Sequence, residues 1–162
     1  MPHPGLTTAL ALGIALLAAT PAAGIAQMRA SSPMRVAGGI RTGRDFENHA
    51  WSAGAQASIP LYQRFELRPS GDWFFGDETP FRWQLNADGV IRFGPGGTVY
   101  GGGGAAFVRV RPLSDVKTGY NIFAGIVPAR PGGKIRPFIE ARWTWVNEES
   151  PFRLVAGIDK AF

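Results

Sequence analysis

The stretch of this chain closest to hydrolytic chemistry is "FENHAWS", residues 46–52. Glu47, His49 and Ser52 are an acid, a base and a nucleophile by residue type. In an acyl hydrolase Ser52 would attack, His49 would take its proton and Glu47 would orient the imidazole. Strand alternation, however, puts His49 on the face of Trp51 and Ser52 on the opposite face. A surface-turn histidine is the simpler reading. "YGGGGAAF", residues 100–107, has the glycines of a phosphate-cradling loop. It lacks the Lys-Ser/Thr pair that grips phosphate and magnesium, and no helical pattern follows. Glycines inside a strand favour a bend, or room for bulky arginines beside them. Acidic side chains gather in Asp45, Glu47, Asp77, Glu78, Asp115, Glu148 and Glu149. Their spacing does not form an EF-hand loop. No cofactor, metal or catalytic set is assigned.

The composition narrows the classes further. With 22 Gly, 13 Pro, five Trp, three Tyr and eleven Phe, strands and turns are favoured over helices. Cysteine is absent, which removes disulfides, thiolate metal sites and a cysteine nucleophile. The formal charge is +5, but its arginines are dispersed singly and form no basic run, so nucleic acid is not implied. Residues 1–26 contain no Asp, Glu, Lys or Arg, and Leu6–Ala19 form an apolar core ending near Gly24-Ile25-Ala26. This predicts a secretory signal peptide over 1–26, then a short mature segment over 27–33. The apolar core is short for a membrane-spanning helix, which needs about 20 residues.

Eight segments follow, at 34–44, 49–61, 65–76, 80–94, 99–112, 117–130, 135–146 and 151–162. Each is near the length of a tilted membrane-spanning strand, and none keeps a helical period. Alternate residues sort into two faces. In the fourth segment Phe81, Trp83, Leu85, Ala87, Gly89, Ile91 and Phe93 alternate with Arg82, Gln84, Asn86, Asp88, Val90 and Arg92. The connections "DFEN", "DET", "LSDV" and "NEES" on one side, and "YQR", "GPGGT" and "PGGK" on the other, are short, so neighbours run antiparallel.

Aromatic residues decide which face points out. Trp51, Trp73, Trp83, Trp143 and Trp145 lie on the apolar face near the first set of connections, with Phe75, Phe81, Tyr120 and Phe152. Phe65, Phe93, Tyr100 and Phe162 fall near the other end. Two aromatic belts around an aliphatic band match the girdles at the two membrane–water interfaces. The polar face then fills the interior with Arg35, Arg41, Arg68, Arg82, Arg92, Arg109, Arg111, Arg136, Arg142 and Arg153. These arginines face Glu66, Asp72, Asp88, Glu140 and Asp159. Such charges need partners or water, and Arg68 with Asp88 is predicted as a direct cross-strand pair. The arginine excess would favour anions in a narrow leak, although an eight-strand barrel is normally filled by its own side chains.

With its signal-like leader, eight amphipathic strands, aromatic girdles and terminal Phe162, the chain resembles the small bacterial outer-membrane β-barrels of the OmpA-transmembrane-domain-like group. The resemblance spans residues 34–162. It implies an all-β, eight-stranded, antiparallel up-and-down transmembrane barrel in the outer membrane. It also implies contact with outer-membrane lipids and lipopolysaccharide, and reading of Phe162 by the barrel-assembly machinery. Phe152, Leu154, Ala156 and Ile158 fit the pattern before that terminal residue, and Lys160 departs from it. The acidic connections would sit where divalent cations bridge to lipopolysaccharide, or serve simply as a solvated rim. Larger members carry a peptidoglycan-binding domain after the barrel; this sequence ends at the eighth strand, and that role is not carried over. The expected role is a non-enzymatic envelope protein, structural or narrowly permeable. The rivals are a lipid hydrolase built on His49 and Ser52, and a soluble periplasmic barrel holding a small apolar ligand.

Overall fold

The computed structural model describes residues 35–76, 79–110, 115–128, 134–146 and 150–162. The predicted signal peptide (1–26), the segment 27–33, and Asp77, Glu78, Arg111, Arg130, Glu148 and Glu149 lie outside the described residues. The strands are β1 (Ala37–Asp45), β2 (Trp51–Tyr62), β3 (Phe65–Phe75), β4 (Phe81–Phe93), β5 (Val99–Val110), β6 (Val116–Ile126), β7 (Ile135–Trp145) and β8 (Phe152–Ala161). They match the predicted segments to within a few residues. Each pairs antiparallel with its sequence neighbour, and β1 pairs with β8 to close the barrel. Closure leaves no sheet edge, so every strand finds its hydrogen-bond partners inside the wall.

The seam runs from Ala37 opposite Ala161 to Asp45 opposite Arg153. The Phe162 amide extends it, donating to the Val36 carbonyl at 3.0 Å. Lys160 causes no slip: it stands opposite Gly38 on one side and Ile135 on the other, and points outward. At the end that carries Phe162, the β4–β5 connection turns through Gly94, Gly96 and Gly97, at φ of 74°, 67° and 69°. Those are left-handed conformations that a Cβ disfavours.

The wall is apolar outside. Ile40, Leu61, Leu85, Ile122 and Ile139 are all exposed, while Ser52, Gln56, Glu66, Arg68, Asp72, Asn86 and Asp88 are buried on the inner face. This overturns the soluble alternative, since the interior holds charge where an apolar ligand would have to sit. Trp51, Trp73, Phe75, Tyr120 and Trp143 form an exposed belt at one rim, joined by the partly exposed Trp83, Trp145 and Phe152. Tyr62, Phe65, Phe93 and Phe162 form the other belt.

Two strands depart from the predicted faces. The β4–β5 register shifts between Phe81 and Trp83, the signature of a β-bulge. The bulge puts Arg82 and Trp83 on the outer wall together and turns Phe81 inward, where it is 2% exposed. Arg82 is therefore not an interior charge, nor Phe81 a girdle residue. Along β5 the alternation is the reverse of the prediction. Tyr100 and Val108 are buried inside and Val110 packs against the inner apolar cluster, so Arg109 faces outward. Near a rim an arginine reaches interfacial water from the lipid side, while inward valines fill an apolar plug.

Candidate functional site

The functional candidate is the interior, and its charges link into two connected sets. In the first, Arg92 grips Glu66 through Nε at 2.9 Å and Nη2 at 3.1 Å, and Arg68 also donates to Glu66. Arg68 Nη1 then reaches Glu140 Oε2 at 3.2 Å, and Arg142 Nε reaches Glu140 Oε1 at 2.9 Å. Arg142 Nη1 lies 2.8 Å from Asp88 Oδ2. In the second set Arg41 binds Asp72 in a two-pronged pair, at 2.8 and 2.5 Å, and Arg153 approaches the same carboxylate at 3.4 Å. Gln56 joins Arg41 to Asp159. Arg68, Arg142, Glu140 and Asp88 are each at most 1% exposed. Removal from water on that scale is sustained only where every charge has a partner.

Arg68 and Asp88 stand directly opposite each other, as predicted, and both face inward. They do not bond to each other. Arg68 turns to Glu66 and Glu140, and Asp88 takes Arg142 and the Asn121 amide. In a twisted, tilted wall the long guanidinium side chain reaches across the lumen as easily as to its direct neighbour.

Aromatic rings back the guanidinium groups. Arg68 lies over Tyr100 at 4.6 Å, Arg142 over Phe123 at 4.4 Å and Arg153 over Phe74 at 5.0 Å. Tyr100 is thus an interior residue and not part of a girdle: it is 1% exposed, and its hydroxyl donates to Glu140 Oε2 at 3.0 Å. The glycines of β5, β6 and β8 make this possible. A Cβ at Gly125 would press on the Tyr100 ring, one at Gly102 would lie 2.7 Å from Phe123 Cζ, and one at Gly157 would lie 2.6 Å from Phe138 Cζ. The glycines therefore seat aromatic rings, where the sequence suggested room for arginines.

Two apolar clusters complete the filling. Val90, Tyr100, Phe123, Val127, Phe138 and Val155 pack toward the end carrying Phe162. Phe74, Phe81, Ala106, Val108 and Val146 pack toward the other. Between them Gln84, Asn86, Asn121, Thr144 and Ser70 form a neutral hydrogen-bonded web, with contacts from 2.6 to 3.5 Å. That web was not assigned from the sequence, although its polar residues alternate inward along β4 and β7.

Of the predicted interior arginines, Arg41, Arg68, Arg92, Arg142 and Arg153 are buried, and Arg136 faces inward half-buried opposite Asp159. Arg35 is exposed just before β1, because the inner face begins at Ala37. Among the described residues, with Arg35, Arg82 and Arg109 outside, six inward arginines face Glu66, Asp72, Asp88, Glu140 and Asp159, and Asp45 is also buried. Asp45 serves its own turn, accepting from the Glu47 and Asn48 amides at 3.0 Å each. Among these residues the arginine excess is therefore small. His49 is exposed in the β1–β2 connection, in a left-handed conformation with φ of 48°, while Ser52 is buried on the inner face.

No protein-family model matches the sequence, and neither does any curated protein sequence. Solved structures do match. The N-terminal β-barrel domain of Pseudomonas aeruginosa OprF superposes with a TM-score of 0.66 at 17% identity, covering 78% of this chain and 96% of that one. A de novo designed transmembrane β-barrel gives 0.56 at 13% identity, covering 81% and 98%. Neisserial surface protein A gives 0.52 at 13% identity, covering 79% and 95%. At these identities the likeness is one of fold, carried by strand number, closure and an apolar outer wall. The chain has the closed, eight-stranded, antiparallel fold of the small transmembrane β-barrels.

Proposed function

We propose that this protein is a non-enzymatic β-barrel of the bacterial outer membrane with a structural role in the envelope. The observation that carries this is the filling of the lumen. Two ion-pair sets, a neutral polar web and an apolar cluster toward each rim occupy it, with Arg68, Arg142, Glu140 and Asp88 almost fully buried. A lumen so filled gives large solutes no path. The near balance of inward charge among the described residues also weakens the case for an anion preference in any residual leak. The hydrolase reading is weakened by the same geometry, since Ser52 is buried inside the wall and His49 is exposed in a turn. The exposed apolar band and its belts fit contact with outer-membrane lipids. Phe162, 72% exposed on the outer wall, is available to the barrel-assembly machinery during insertion. Planar-bilayer recording on the refolded full chain tests the plug. We expect no resolved current steps in potassium chloride, and stable steps with a solute-sized cut-off would overturn it.

A further inference from the structure

We infer that the outer wall of β2–β5 carries a site for one phosphorylated membrane lipid. Arg82 and Arg109 would take the phosphate, and an acyl chain would lie in the furrows beneath. The inference rests on the membrane-spanning reading above.

A guanidinium on a lipid-facing wall is costly unless it reaches the interface. Here two stand on either side of Trp83, near one rim. The bulge carries Arg82 outward next to Trp83, and pairing sets Arg109 of β5 opposite Trp83. Both lie at the rim where β3 meets β4. The Arg82 guanidinium is 5.5 Å from the centre of the Trp73 ring, and Trp73 stands opposite Trp83. Stacking on a ring fixes a guanidinium while leaving its N–H donors free, and the fork of donors fits a phosphate. Among the described residues neither arginine is paired with a carboxylate, in contrast to the buried interior arginines.

Beneath these arginines the outer wall is apolar and shallowly furrowed. A shallow, open furrow lies between Trp73 and Trp83, over Ala53, Gly71 and Leu85. A second, which shares Leu85 with the first, runs past Ala55, Ala57, Pro69 and Ala87. The four steps from Pro69 to Trp73 span about 13 Å at roughly 3.3 Å per residue, the length of a substantial part of an acyl chain. Two outward cations at the interface, above apolar furrows running toward the membrane interior, match an anionic headgroup joined to a hydrocarbon tail.

The test uses the refolded full chain in detergent, with phosphatidylglycerol or phosphatidylcholine added, and native mass spectrometry to count lipids retained. The heat-dependent gel shift identifies folded protein in each sample. We expect one phosphatidylglycerol retained per chain in preference to phosphatidylcholine. Retention should fall about fivefold for Arg82→Ala and about 25-fold for Arg82→Ala with Arg109→Ala, from the attraction of each surface arginine to anionic lipid. Lys160→Ala, which removes an outward cation at the opposite rim, should leave retention unchanged. Ala53→Leu, which fills the first furrow and keeps both arginines, should lower it. Equal retention of the two lipids, or equal loss in the Lys160 variant, would overturn the site. So would displacement by inorganic phosphate with no effect of Ala53→Leu. None of these results would touch the barrel reading, because the gel shift reports that separately.

Discussion

Arg142 shows what the interior demands of a single residue. It is fully buried, bonded to Glu140, next to Asp88 and seated over Phe123. Replacing it with Met would leave Asp88 without its cation and Glu140 with Arg68 alone. The expected loss is about 3–5 kcal/mol, the range for breaking one partner of a buried pair. Urea unfolding in lipid vesicles, followed by tryptophan fluorescence, measures it. Lys160→Met, on the outer wall, should change stability by less than about 0.5 kcal/mol. Equal, small losses in both would mean that water reaches Arg142 freely. Two glycines make a second matched pair. At Gly125 a Cβ would lie 2.5 Å from the Tyr100 hydroxyl oxygen and 2.7 Å from the Ile139 carbonyl, whereas at Gly89 its nearest neighbour is 3.8 Å away. Gly125→Ala should therefore cost about 1–3 kcal/mol by overpacking, and Gly89→Ala should be near neutral, in the same unfolding assay.

At the scale of the strand, alternation was legible wherever one face was uniformly apolar. Ser52, Gln56, Glu66, Arg68, Asp72, Glu140 and Arg142 all follow from period two and from tryptophans placed outward. It failed at both ends of the β4–β5 pair for physical reasons. Phe81 and Arg82 exchange faces because a bulge adds one residue, and nothing in "TPFRW" announces a bulge. Tyr100 and Arg109 were misplaced because apolar outward and arginine inward is a rule for mid-membrane. Near a rim, apolar plugs and snorkelling cations reverse it. The partner choice of Arg68 was equally hidden, since it depends on reach across the lumen and not on register. The bulge has a direct spectroscopic test. Nitroxide labels placed singly at residues 81–87 of the barrel in vesicles should report lipid-dissolved oxygen at both 82 and 83. Farther along, 85 and 87 should be exposed to lipid and 84 and 86 protected. Strict alternation from 81 onward would remove the bulge.

At the scale of the whole molecule, eight strands set a lumen that side chains can fill, and this sequence fills it in layers. The outer wall reverses the polarity of a soluble barrel, so the molecule needs a membrane to cover Ile40, Leu61, Leu85, Ile122 and Ile139. Closure of β1 on β8 then leaves no strand that can peel from an edge. The account of a closed barrel in the outer membrane is tested most directly by cell fractionation, with boiled and unboiled samples run side by side on a denaturing gel. We predict that the protein is found in the outer-membrane fraction, requires detergent for extraction, and shifts in mobility on boiling. Recovery in the soluble periplasm, with no shift on boiling, would contradict it.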